Sequence, residues 1–282
     1  MKVVVTGATG FVGRHTVRKL LDSGYEVVSI TTKNTISEYV KGYINGSDVI
    51  TVNALAEVSE DSIRNNIIIH CAWDNVQNTV DVSHYLHAVE QVKFISKIAL
   101  FKPEKVIITG TCYEFGLRTG PVSVADRTQP NTPYAQAKDF VRLASEKILR
   151  DDAKIDFIWA RLFYLYGVGQ HEKSIYSQLI TAINRKDRIF NMSKGEQLYD
   201  YMNVEDLAEK LASLATVKAP SIVHICNGYP TSLRTIAENI LLEKKSSLQL
   251  NFGFYPYRKQ DSIALWGAES FASQVVGNST LK

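Results

Sequence analysis

A chain of 282 residues is long enough for one nucleotide-binding α/β domain plus a smaller lobe. Its 45% hydrophobic and 22% charged residues argue against disorder, and a net charge of only +3 falls short of a nucleic-acid binder's basic footprint. Three scattered cysteines, Cys71, Cys112 and Cys226, include no C-x-x-C pair, which suggests neither a disulfide framework nor a zinc site and points to a reducing compartment.

In chain order, residues 2–6 are short and β-branched and read as a strand. Its apolar run is too short for a signal-peptide core, and no segment approaches a membrane span. A soluble, cytoplasmic protein with no membrane partner is therefore expected. Residues 12–21 have helical apolar spacing and stop at Ser23-Gly24. Strands are expected at 26–31, 48–52, 67–70, 105–109 and 155–161, and helices at 54–64, 80–100 and 132–149. This alternation implies an α/β, Rossmann-type doubly wound parallel sheet. After residue 162 the rhythm breaks. A helix at 174–184, a strand at 188–190, a strand-helix unit at 199–215, a strand at 222–226 and a helix at 232–242 follow, then an aromatic tail from Phe252. The expected division is a dinucleotide-binding domain at 1–162 and a small substrate lobe, interleaved with the sheet, at 163–282.

Gly7, Gly10 and Gly13 lie between the first strand and the first helix. A sharp turn, close approach to a pyrophosphate and tight helix packing each favour a residue without a side chain. Thr9, Phe11 and Val12 complete this loop, and the helix N-terminus offers unpaired N–H groups to phosphates. The second strand ends Thr31-Thr32-Lys33 without the carboxylate that would bind a ribose 2′-hydroxyl. Hydroxyls and an ammonium there, with Arg14 in reach, favour NADP(H) over NAD(H).

Tyr134 and Lys138 are four apart at the start of a helix and share one face. The ammonium favours phenolate, so the phenol can exchange a proton with a substrate oxygen during hydride transfer. Thr111 follows the fifth strand and is the candidate to orient a carbonyl beside Tyr134, with Thr109 as the fallback. His84-x-x-His87 is the closest approach to ligand spacing, and it has no third ligand, so no metal is expected.

Together these segments resemble the extended short-chain dehydrogenase/reductase family, the NAD(P)-dependent epimerase/dehydratase group. The resemblance covers TGATGFVG at 6–13, HCAW at 70–73, Thr111 to Gly116, YAQAK at 134–138, RLFYLYGVGQ at 161–170 and DYMNVEDLA at 200–208. It implies that Thr111, Tyr134 and Lys138 form the catalytic triad, with Lys138 also on the nicotinamide ribose. It places Cys71, Ala72, Trp73 and Phe163 along the cofactor and Asn53 with Ala54 beside the adenine. It puts Gln170 near a sugar nucleotide, Arg258 on its diphosphate, and Asp200 and Asn203 where the two lobes join. A homodimer through the helices at 80–100 and 132–149 is likewise implied, and the apolar row Val89, Val92, Ile95 and Ala99 permits it.

Where dehydratases of this group carry Asp-Glu after the catalytic Thr, this chain has Cys112 and Tyr113, which line the substrate side without an acid-base pair. Phe115 replaces a common Tyr, and the chain stops soon after Gly277, where many members add another helix. The segments 161–170, 195–200 and 251–258 look similar to nucleotide-sugar 4-ketoreductases. The expected reaction is NADPH-dependent reduction of a nucleoside-diphosphate 4-keto-6-deoxyhexose in deoxysugar biosynthesis for surface polysaccharide. The alternatives are a nucleotide-sugar 4-epimerase with tightly bound NAD and a non-catalytic NADP-binding sensor or scaffold.

Overall fold

The computed structural model describes residues 2–257 and 262–276. The first half runs β1 (Lys2–Thr6), α1 (Phe11–Asp22), β2 (Glu26–Thr31), α2 (Glu38–Ile44), β3 (Asp48–Thr51), α3 (Glu60–Ile63), β4 (Ile67–His70), α4 (Ser83–Leu100), β5 (Lys105–Thr111), β6 (Gly120–Val122), α5 (Pro133–Ser145) and β7 (Asp156–Leu162). The second half follows as β8 (Tyr164–Tyr166), α6 (Ile175–Arg185), β9 (Ile189–Asn191), β10 (Leu198–Tyr199), β11 (Tyr201–Asn203), α7 (Val204–Ser213), β12 (Ile222–Ile225), β13 (Thr231–Ser232), α8 (Leu233–Glu243), β14 (Gln249–Asn251), β15 (Ala264–Gly267) and α9 (Phe271–Val276).

A seven-stranded sheet in the order β12-β7-β5-β4-β1-β2-β3 is parallel throughout. The continuous apolar strands explain this, because both of their faces are covered. Val3, Val5, Ile67, Ile69 and Ile107 pack with Val17 and Leu20 of α1 and Leu207 and Leu211 of α7. The alternate residues Val4, Ile68, Val106 and Ile108 pack with Phe94 and Ile95 of α4 and Val141 of α5. Each such side chain contributes about 1.5–3 kcal/mol of burial. The strand order reverses beside β1, so a crevice opens at the carboxyl ends of β1 and β4, where ligands bind in open α/β sheets.

A smaller sheet, β13-β10-β15-β6, packs through Val122, Tyr199 and Leu265 on Cys112, Phe163 and Cys226, just past the carboxyl ends of β5, β7 and β12. It takes β6 from the first half of the chain, while β12 from the second half extends the large sheet. Among the described residues, no helix is long and apolar enough to cross a membrane.

Several elements differ from their sequence expectation. The helix expected over 54–64 is a 3₁₀ turn at Leu55–Glu57 and the short α3. The helix expected from residue 80 starts at Ser83. Beyond Ser145, α5 relaxes into a π-helical turn in which Ala153 N bonds Ile148 O. α2 is an addition, capped by the Ser37 hydroxyl accepting from Val40 N. The tail also carries structure, in β15 and α9.

Candidate active site

The glycine turn after β1 is a cradle that side chains would fill. Gly7 has φ +67°, and a Cβ there would lie 2.7 Å from the Ala72 backbone. A Cβ on Gly13 would lie 2.1 Å from Gly7 O, so α1 can pack on the turn only with glycine at this position. Gly10 caps α1 without a side-chain acceptor, which leaves the helix N–H groups to a ligand. This backbone cradle fits a dinucleotide pyrophosphate. Thr9, Phe11 and Val12 lie in it, with the Thr9 hydroxyl bonded to that of Thr31 at 2.9 Å in a buried contact.

Thr31 also accepts from Lys33 N, while Thr32 and Lys33 are exposed past the end of β2. Arg14 is placed differently from expectation. Its guanidinium is buried, donates to Gly169 O at 2.5 Å, and lies over the rings of Phe11, Tyr39 and Tyr43. This bond ties it to the 167–170 loop, while its buried Nε meets no acceptor among the described residues. Asn53 is exposed after β3 and bonds Glu57 through both its backbone N and its amide, and Ala54 is exposed next to it.

The segment after β4 runs along the glycine turn. Cys71 N donates to Thr6 O at 3.1 Å, the Ala72 backbone abuts Gly7, and Trp73 extends toward α5. His70 is a structural partner of Thr6 and Gln91, and burial lowers its pKa to about 4.

β5 ends at Thr111, and α5 starts with the Thr132 hydroxyl accepting from Ala135 N and with Pro133 at its first position. This start brings Tyr134 to Thr111, with which it shares a side-chain hydrogen bond. One turn later, Lys138 Nζ donates to Thr109 O at 2.9 Å. Thr109 spends its own hydroxyl on His70 O at 3.2 Å, so Thr111 is the hydroxyl that stands with Tyr134. Burial lowers Lys138 to about 8. Burial also pushes the Tyr134 phenol well up, against the opposing pull of Thr111. The acidification expected from Lys138 is not found: burial dominates, and Cys112 and Glu114 add to it.

On the other side of Tyr134, Tyr113 lies edge-on at 6.2 Å. Cys112 lies close enough to Tyr134 for its thiol to bear on the phenol. It is buried with Phe115, Phe163 and Tyr199, and its thiol is pushed up by burial. Phe163 sits in that same cluster, edged by His224. Gln170 donates to Leu165 O at 2.8 Å, and its buried Oε1 faces no protein donor among the described residues. It lines a cavity with Tyr166, Ile175, Tyr176 and Leu233. Arg258 lies outside the described residues.

Asp200 is fully buried and accepts from Asn227 N and Gly228 N, tying β10 to the turn after β12. Asn203 caps α7. Among the described residues, no three His, Cys, Asp or Glu cluster as metal ligands would.

Two residues at the site were not expected. Glu114 is fully buried and accepts from Thr111 N, Trp159 Nε1 and Arg161 Nε. Its signal was present as a capping box, Thr111-x-x-Glu114. His84, also fully buried, accepts from Trp73 Nε1 at 3.1 Å, a pairing with no local sequence signal.

A family model described as the NAD dependent epimerase/dehydratase family matches residues 3–226. The chain is 28% identical over 273 residues to a dTDP-6-deoxy-L-talose 4-dehydrogenase (NAD(+)) of Aggregatibacter actinomycetemcomitans, covering 95% of this chain and 100% of that one. It is 25% identical over 222 residues to a CDP-abequose synthase of Salmonella typhimurium, covering 73% and 67%. Among solved structures, a UDP-N-acetylglucosamine 4-epimerase from Methanobrevibacter ruminantium M1 superposes with a TM-score of 0.83 at 20% identity, over 97% of this chain and 91% of the other. MoeE5 in complex with UDP-glucuronic acid and NAD gives 0.82 at 23% identity, over 98% and 93%. At these identities the structural likeness speaks for the fold.

Proposed function

The chain belongs to the NAD-dependent epimerase/dehydratase family of NAD(P)-dependent enzymes, and on that premise we propose that it is a cytoplasmic NADPH-dependent reductase of a nucleoside-diphosphate 4-keto-6-deoxyhexose. The observation that carries this reading is the meeting of Thr111, Tyr134 and Lys138 at the carboxyl edge of the sheet, beside the glycine cradle, with no acid-base pair in the turn after Thr111. Elimination of water needs a second acid and base, and in this turn Cys112 is buried with its thiol pushed up, while the Glu114 carboxylate is spent on Thr111 N, Trp159 and Arg161. The relative named for 4-dehydrogenation of dTDP-6-deoxy-L-talose supports a 4-position redox step on a nucleotide-linked deoxysugar, and the CDP-abequose synthase supports a nucleotide-linked substrate. Reduction of a 4-keto group is the reverse of such a 4-dehydrogenation.

In this reading residues 1–162 hold the cofactor and 163–282 shape the sugar site. The loop at 7–13 takes the pyrophosphate, Thr32 and Lys33 the adenosine 2′-phosphate, Asn53 and Ala54 the adenine edge, and Ala72 and Trp73 the nicotinamide end. The bound cofactor supplies the hydride. Thr111 and Tyr134 hydrogen-bond the carbonyl oxygen, and Tyr134 gives its proton to the oxygen as charge develops there. Lys138 keeps a positive charge beside the phenol, which favours that transfer. Gln170 reaches the nucleotide from the α6 side. The assembly is a homodimer through α4 and α5, whose outer faces expose Leu86, Val89, Phe140 and Leu143.

The test supplies purified protein with NADPH and dTDP-linked or CDP-linked 4-keto-6-deoxyhexoses and identifies products by mass and NMR. Stoichiometric NADPH consumption with a product two hydrogens heavier supports the reading. Isomerisation without net NADPH consumption, from protein that retains bound NAD, contradicts it and identifies an epimerase.

A further inference from the structure

We propose that Trp73 is a positioning residue for Lys138, its indole face holding the ammonium beside Tyr134, and that His84 in turn fixes the indole. The inference rests on the reading that Lys138 serves the reaction, and adds how this charge is kept in place. Lys138 Nζ lies 4.2 Å from the centroid of the Trp73 ring, well inside the range of a cation–π contact. The lysine is almost fully buried, so its ammonium has lost most of its water. Thr109 O replaces one hydration partner, and the negative π face of the indole offsets part of the rest.

The indole is itself oriented. Trp73 Nε1 donates to His84 Nδ1 at 3.1 Å, which places the imidazole proton on Nε2, 3.0 Å from Asn78 O. His84 is thereby held as the neutral tautomer at both ends. The same indole stands edge-on to Tyr134, with ring centroids 6.0 Å apart and planes at 80°. One side chain therefore borders both the phenol and the ammonium.

The titratable groups that bear on Lys138 are Glu114 from the turn after β5, His70 and Cys71 at the end of β4, and His84 on α4. Glu114 favours the charged lysine, whereas a protonated His84 would repel it and lose its bond from the indole. With burial already lowering Lys138 to about 8, loss of one more favourable partner discharges it within the neutral range.

The test reads Lys138 directly, in protein free of cofactor, by trace acetylation across a pH series and mass spectrometry of the Lys138 peptide. Trp73→Leu is expected to lower the labelling midpoint by about one pH unit, and Trp73→Phe, which keeps a π face, by about half as much or less. His84→Leu is expected to shift it in the same direction as Trp73→Leu. The alkaline limb of kcat/KM should move in step with the midpoint. If Trp73→Leu lowers the melting temperature while midpoint and limb stay in place, the indole is only structural and the proposal is overturned. If the midpoint moves and the rate profile does not, Trp73 does hold the charge, and the assignment of Lys138 to the reaction fails instead.

Discussion

The Glu114 carboxylate meets Arg161 Nε at 2.7 Å in a place where neither side chain reaches solvent. The same carboxylate takes N–H groups from Thr111 and Trp159. It therefore ties the end of β5, where Thr111 sits, to β7. Removing one partner of such a pair leaves an uncompensated buried charge. Glu114→Ala is expected to cost about 3–5 kcal/mol in urea unfolding. Glu114→Gln keeps an acceptor oxygen for Thr111 or Trp159 and should cost less. A loss below about 1 kcal/mol for Glu114→Ala, the range of an exposed pair, would show that water reaches Arg161.

Cofactor choice is expected to follow Lys33. Lys33 is exposed just past the end of β2 and places an ammonium there. Lys33→Glu should weaken NADPH binding by about tenfold or more, the effect of roughly 1.4 kcal/mol, and leave NADH binding within a few-fold. Titration calorimetry with both cofactors measures this. Equal weakening of both would place Lys33 away from the 2′-position.

Acid should destabilise the fold through His70. Its pKa in the folded protein, about 4, is below the ordinary 6.5 because the ring is buried neutral between Thr6 and Gln91. A depressed folded value means the unfolded chain binds the proton first. The contribution is complete above pH 6.5 and is lost as pH falls toward 4, on the order of 3 kcal/mol in all. His70→Gln, which cannot titrate, should flatten the fall in stability between those two values. An unchanged slope in urea melts would assign the acid sensitivity elsewhere, with His224, lowered to about 3, the next candidate.

The proposed homodimer should be carried by the helix pair α4 and α5. Leu86 is 71% exposed and Phe140 53%, on neighbouring helices, an apolar face that a single protomer leaves in water. Leu86→Lys combined with Phe140→Glu is expected to yield monomer in sedimentation velocity at concentrations where the parent protein is dimeric. If the double variant sediments as the parent does, the contact lies on another face.

The sequence carries the large sheet because its strands are long apolar runs set between helices, and β1, β2, β4, β5 and β7 lie within a residue or two of their expected bounds. The small lobe was less legible. β10 and β13 have two residues each and β8, β9, β11 and β14 three, too few for a period to show. The glycine cradle and the Thr111–Tyr134–Lys138 cluster could be read because spacing along one strand or helix places them. Three features could not. Arg14 bonds a loop 155 residues further on, Cys112 is drawn into an apolar cluster, and Trp73 pairs with His84 across a connection with no local pattern. Each is set by tertiary packing, which single-chain periodicity does not encode.

The most direct measurement is single-turnover oxidation of NADPH by the parent protein and by Tyr134→Phe, with a nucleoside-diphosphate 4-keto-6-deoxyhexose in excess and NADPH binding checked separately. The expected result is an undiminished affinity for NADPH and a rate lowered by about 10²–10⁴-fold, the range for loss of a general acid. A Tyr134→Phe protein that consumes NADPH at the parent rate would remove the phenol from the reaction and with it the proposed site.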